Sequence, residues 1–180
     1  KISPARNGFK DDDIHFVLEC ALRGDLGRII YNKQVSTNNL GKMMVDILLG
    51  VEYIHSHGIM HRDLKPQNLL MFESPEKEIQ VKICDFGLSK FHTFQEPQTP
   101  RVVTAWYRAP EITLQDPHYT CKVDLWSVGC IFYEMWTGKS FIEAPDDDIQ
   151  ILSRILRALP KRLPKTRTKT LKSTFNKKLN

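Results

Sequence analysis

His61-Arg62-Asp63-Leu64-Lys65-Pro66-Gln67-Asn68 is the stretch that decides how this 180-residue chain is read. Asp85-Phe86-Gly87 follows 17 residues after Asn68, and Ala109-Pro110-Glu111 closes the series. A lone aspartate is ordinarily a surface-turn carboxylate. Asp63 and Asp85 read differently because each lies next to an apolar, strand-like run: Asn68-Leu69-Leu70-Met71-Phe72 and Val81-Lys82-Ile83-Cys84. The two runs are joined by a polar stretch, 73–80, that contains Pro75. This pattern predicts a short antiparallel pair. Such a hairpin would bring Asn68 and Asp85 to the same end of one site.

The residue types suit phosphoryl transfer, which depends on positioning and charge neutralisation more than on covalent help. Asp63 is placed to accept the proton of an attacking hydroxyl, or to orient that hydroxyl. Lys65 offers a cation to a terminal phosphate. Asn68 offers a neutral oxygen and Asp85 a carboxylate, both hard ligands of the kind Mg2+ takes while keeping some of its waters. Pro66 stiffens the loop between base and ligand.

The three ordered motifs resemble the catalytic-loop and activation-segment signatures of the eukaryotic protein kinases. Thr104-Ala105-Trp106-Tyr107-Arg108-Ala109-Pro110-Glu111-Ile112 and Val123-Asp124-Leu125-Trp126-Ser127-Val128-Gly129-Cys130-Ile131 are similar to those of the CMGC group, which holds the cyclin-dependent and mitogen-activated kinases. The resemblance covers residues from about 14 to about 160. It implies an α+β, protein-kinase-like fold. That fold would be mainly the helical C-terminal lobe, with a short hinge strand and a β-hairpin at the cleft, and with most of the N-terminal β lobe absent. Residues 1–21 would be a remnant of the small lobe and hinge. Residues 22–160 would be the large lobe, with a catalytic loop at 61–68 and an activation segment at 85–111. Residues 161–180 would be a basic tail, disordered or divergent.

The same resemblance assigns further roles. Leu18 would be the gatekeeper at the end of a strand over 14–18. Glu19 and Ala21 would offer backbone groups to adenine, Asp25 would face the ribose, and Leu70 would floor the ring. Thr104 would hydrogen-bond near Asp63 and Lys65. Arg62 would pair with a phosphate on Thr99, the activating position of cyclin-dependent kinases. The activation segment has no T-x-Y doublet, unlike an ordinary mitogen-activated kinase. Arg108 would shape a preference for proline after the phosphorylated residue. His61 and Phe86 would stack, Asp124 would anchor the loop from a central helix, and Glu111 would pair with an arginine farther along than this chain reaches.

Three helices are predicted from apolar periodicity and end signals. One spans 36–57, capped by Ser36 and stopped by Gly58. The second spans 120–137, ends at Gly138 and is apolar on most faces. Its Trp126, Phe132, Tyr133, Met135 and Trp136 are therefore expected in the core. The third spans 146–159, with acids first and Arg154 and Arg157 late, as the helix dipole favours. Residues 88–104 read as a mobile loop.

The net charge of +5 divides into +8 over 161–180 and −3 over the remaining 160 residues. A nucleic-acid-binding body is thereby disfavoured, and a tail-based one would bind in a steeply salt-dependent way. Cys20, Cys84, Cys121 and Cys130 show no metal spacing and no paired framework, so they read as reduced thiols. Neither a membrane-spanning run nor a signal-peptide pattern is evident. The expected setting is cytoplasmic or nuclear.

The expected function is transfer of the ATP γ-phosphate to protein Ser or Thr, next to proline, with ATP and Mg2+ as cofactors. The expected partners are the protein substrate and a cyclin-like or other activating protein, without a membrane. No glycine-rich G-x-G-x-x-G and no V-A-I-K lysine occur in the 180 residues. The chain alone is therefore expected to be weak or inactive. The competing expectation is an inactive kinase fragment or pseudokinase that serves as a protein-interaction module.

Overall fold

The computed structural model describes residues 16–74, 77–91, 105–144 and 147–158. The longest element, α2 (Thr37–Ser56), starts where Ser36 Oγ accepts the amide of Asn38 at 3.3 Å. This is the capping the sequence predicts. Leu40, Met43, Ile47, Val51 and Ile54 form its buried stripe. Ahead of it lies a short helix that the periodicity does not reveal, α1 (Leu26–Tyr31). Asp25 caps α1 by accepting the Arg28 amide at 3.0 Å.

After α2 the chain turns at Gly58, at φ +71°, a conformation that costs glycine little. It then enters β1 (Ile59–Met60) and, past a 3-10 turn at Pro66–Asn68, β2 (Leu69–Glu73). The predicted hairpin is present. β2 pairs antiparallel with β3 (Ile79–Ile83), with Leu69 opposite Ile83 and Met71 opposite Val81. β3 packs against α2, and Asp46 of α2 accepts the Val81 amide at 3.0 Å. β4 (Lys90–Phe91) pairs antiparallel with β1. The mobile-loop expectation for 88–104 thus fails at 90–91, because a two-residue ladder is too short for period-2 alternation to mark it. Residues 88–89 lie in neither helix nor strand, and 92–104 falls outside the described residues, as does the basic tail.

A 3-10 turn at Ala105–Tyr107 leads into the short α3 (Pro110–Thr113) and then α4 (Lys122–Thr137). Gly138 ends α4 in the left-handed conformation at φ +69° and donates its amide to the Glu134 carbonyl. α5 (Asp148–Ala158) buries Ile151, Leu152 and Ile155. Asp147 Oδ1 caps it by accepting the amides of Ile149 and Gln150 at 2.8 and 3.1 Å. One core cluster joins α1, α2, the hairpin and α4 through Leu26, Ile47, Leu69, Met71 and Ile131. A second sits where α3 meets β1 and α4, and a third lies under α5.

Two expectations need correction. Tyr133 and Trp136 are exposed, and Trp136 keeps three quarters of its surface. α4 is apolar nearly all round, but among the described residues only one side of its C-terminal turns is covered. Residues 16–18 are not in a strand. A strand needs a ladder partner for its backbone groups, and no described residue supplies one there. Phe16, Val17, Leu18 and Leu22 are consequently exposed. Among the described residues, no helix is long and apolar enough to cross a membrane.

Candidate active site

The site is built on the loop between β1 and β2. Asp63 is buried, and its Oδ2 accepts from Lys65 Nζ at 2.8 Å and from Asn68 Nδ2 at 3.2 Å. Asn68 Nδ2 also donates to the Asp63 carbonyl at 2.9 Å. The side-chain nitrogen of Asn68 is thereby committed to Asp63, which leaves Oδ1 as the ligand-side atom. Three of the residues predicted from the first motif are thus one hydrogen-bonded unit.

The second motif adjoins that unit through the backbone. The Cys84 amide donates to the Asn68 carbonyl at 3.0 Å, in continuation of the β2–β3 ladder. His61 Nε2 donates to the Cys84 carbonyl at 2.9 Å. His61 Nδ1 accepts the Asp63 amide at 3.2 Å, so the two ring nitrogens tie both motifs together. Its ring centroid lies 5.0 Å from that of Phe86, the predicted contact. Asp85 has the uncommon φ of +61°, and its Oδ1 accepts the Gly87 amide at 3.2 Å. Asp85 is exposed and follows the end of the hairpin where Asn68 lies. Burial and the neighbouring carboxylates of Asp85 and Asp25 push the Cys84 thiol up from its usual range.

Asp124, in the first turn of α4, holds the loop from below. Its two oxygens accept the amides of His61 and Arg62, each at 2.9 Å. Arg62 itself stands at φ +68°. Its guanidinium donates to the Leu88 carbonyl at 2.7 Å and to the Tyr119 hydroxyl at 3.2 Å. Tyr119 was not a candidate from the sequence, because nothing in its local pattern separates it from an ordinary core aromatic. Thr99 and Thr104 lie outside the described residues.

The adenine-side candidates are less gathered. Leu18 and Glu19 are exposed, and Glu19 Oε2 pairs with Lys82 Nζ at 2.5 Å. Ala21 is half-buried. Asp25 caps α1 and forms an isolated antiparallel bridge with Leu70. That bridge places the ribose candidate beside the floor candidate.

Arg108 donates to Asp148 Oδ1 at 3.1 Å, and the Trp106 indole N–H donates to the Ala144 carbonyl at 2.7 Å. These bonds tie the 105–108 turn to the start of α5. Glu111 lies half-buried in α3. Tyr107 donates to Glu134 at 2.7 Å, and burial with that bond raises its phenol well above the usual range. Burial and the neighbouring Glu134 push the Cys130 thiol up to about 12.

Asn68 and Asp85 offer one neutral and one anionic oxygen. That set fits Mg2+, which usually takes one or two protein oxygens and completes its shell with phosphates and water. No cluster of three or more His, Cys, Asp or Glu suited to a metal occurs among the described residues.

A helix-anchored loop that presents Asp, Lys and Asn, next to a hairpin that ends in Asp-Phe-Gly, is the central part of a protein-kinase-like large lobe. The protein kinase domain model matches residues 6–179. Mitogen-activated protein kinase 14 of Xenopus laevis is 40% identical over 156 residues, 86% of this chain and 41% of that protein. Mitogen-activated protein kinase 6 of Arabidopsis thaliana is 42% identical over 144 residues, 79% of this chain and 35% of that protein. The crystal structure of the yeast RNA Pol II CTD kinase CTDK-1 complex superposes with a TM-score of 0.67 at 32% identity, covering 74% of this chain and 43% of that one. The chain belongs to the protein kinase domain family, within its CMGC group. It spans about two fifths of the length of these curated relatives.

Proposed function

We propose that this chain carries the phosphoryl-transfer machinery of a Ser/Thr protein kinase that acts next to proline, with ATP and Mg2+. The observation that carries the reading is the Asp63 carboxylate, buried and oriented by Lys65 and Asn68, beside the strand that presents Asp85. In this reading Asp63 orients the substrate hydroxyl and receives its proton. Lys65 offsets charge on the transferred group, and Asn68 and Asp85 hold the metal. Bound Mg2+ would neutralise the phosphate oxygens. Arg108, fixed by Asp148, would favour proline after the target residue.

An activating protein belongs to the proposal, since the similar yeast kinase was solved as a complex. A phosphate on Thr99, received by Arg62, belongs to it as well. A cytoplasmic or nuclear setting is consistent with the four free thiols.

A second reading, an interaction module that transfers no phosphate, is favoured by the exposed apolar strip at Phe16, Val17, Leu18 and Leu22. The purified chain, given γ-labelled ATP, Mg2+ and peptides with Ser-Pro or Ser-Ala, separates the two. The kinase reading expects weak label on the Ser-Pro peptide, since the 180 residues hold no glycine-rich lid and no V-A-I-K lysine, and loss of that label in Asp63→Ala. Absence of label, or equal label in the variant, favours the interaction module.

A further inference from the structure

We propose that residues 171–179, close to the end of the basic tail, dock in the groove between α2 and α4. The inference goes beyond the kinase reading and does not rest on it. Two adjoining hollows form the groove. One, of about 430 Å3, is lined by Leu48, Leu49 and Glu52 of α2 with Leu125 of α4. The other, of about 330 Å3, is lined by Leu125, Tyr133 and Phe141. Leu125 borders both, which makes them continuous. Leu48, Leu49, Leu125 and Tyr133 keep from 43% to 57% of their surface exposed. A lone exposed leucine is ordinary, but a contiguous apolar face across two helices is a docking surface.

The tail matches this groove in reach, pattern and charge. α5 ends at Ala158, and its buried Ile151 and Ile155 pack against Trp126 and Phe141, which also line the second hollow. The groove therefore starts at the foot of α5. Residues 159–170 link that helix to Leu171, and such a link spans up to roughly 40 Å when extended.

The tail over 161–180 has four apolar residues, and three of them, Leu171, Phe175 and Leu179, recur at every fourth position. A helix places all three on one face and leaves Lys172, Lys177 and Lys178 away from its centre. Nine helical residues are about 13 Å long. A helix so short is not stable alone in water, so docking and helix formation would occur together.

The tail carries +8 and the rest of the chain −3. The lining residues of both hollows include the carboxylate of Glu52 and neither lysine nor arginine. A second copy would bring to this face another body of the same negative sign. The tethered tail brings the opposite charge at a high effective concentration.

The test uses the full 180-residue chain. Nuclear Overhauser contacts are read between the Phe175 ring and the methyl groups of Leu48 and Leu125. An equal mixture of isotope-labelled and unlabelled chains separates contacts within a chain from contacts between chains. Contacts within one chain are expected. They should vanish in Phe175→Asp and in Leu125→Lys, while the core methyl signals of Ile47 and Ile131 stay in place. Trypsin gives a second readout. First cuts after Lys172 should be about tenfold slower than first cuts after Lys165, the scale of freeing one large apolar side chain from its pocket, and Phe175→Asp should make the two rates equal. Contacts only between chains would assign the groove to a second copy and overturn the proposal. So would the absence of any contact, or equal cutting at Lys165 and Lys172 in the wild-type chain.

Discussion

Asp124→Ala is the substitution with the largest expected consequence outside the apolar core. The carboxylate is almost fully buried, and it satisfies two backbone amides that face away from water. Truncation leaves both without an acceptor. A stranded buried donor costs about 1–3 kcal/mol, so the pair amounts to about 2–6 kcal/mol. The Arg62 backbone, no longer held at its amide, can relax from its left-handed conformation, which returns part of the roughly 1–3 kcal/mol stored there. A net loss of about 3 kcal/mol is expected, against a total of about 5–15 kcal/mol for a domain. Asp124→Asn keeps one acceptor oxygen and should lose about half as much. Urea unfolding followed by circular dichroism measures both, with a lower midpoint and an unchanged slope expected. If Asp124→Ala stays within about 0.5 kcal/mol of wild type, the amide clamp does not hold the loop and the reasoning fails.

Ser36→Ala removes the cap of α2 and should lower stability by about 1 kcal/mol in the same unfolding assay. Asp148→Asn weakens the hold on Arg108 and should narrow the ratio of kcat/KM between Ser-Pro and Ser-Ala peptides, with little change on the Ser-Ala peptide. Stability should also fall in alkali. The Cys130 thiol is pushed up to about 12 in the folded chain from an ordinary value of 9.0, so above pH 9 the unfolded chain binds fewer protons and folding loses ground as pH rises toward 12. Cys130→Ala should flatten that decline in a pH series of urea midpoints, leaving the part that the raised Tyr107 phenol contributes above pH 10. Maleimide labelling of the native chain should reach exposed Cys20 first and buried Cys130 last.

Much of the site was legible because its parts are close in sequence. Asp63, Lys65 and Asn68 lie within six residues and meet around one carboxylate. The hairpin that delivers Asp85 is marked by two apolar runs and a proline-containing turn. α2, α4 and α5 announce themselves through a cap, a left-handed glycine and a charge gradient. What stayed hidden depends on long-range pairing. Tyr119 meets Arg62 across 57 positions, and no local pattern distinguishes it from an ordinary core aromatic. The β1–β4 ladder has two residues a side, too few for a periodic signal. Trp136 misled because an apolar helix signals burial without saying by what. The strand expected at 14–18 shows the same gap between propensity and partner: an apolar run becomes a strand only when another strand pairs with it.

The central claim is that Asp63, Lys65, Asn68 and Asp85 surround one nucleotide's terminal phosphate and its metal. The most direct measurement replaces Mg2+ with paramagnetic Mn2+ in a titration of the isotope-labelled chain with ATP. Selective broadening of the Asn68 side-chain amide and the Asp85 backbone signal, lost in Asp85→Asn, is the expected result. Broadening centred elsewhere, or equal at Asn68 and at Ile155 in α5, would contradict the account.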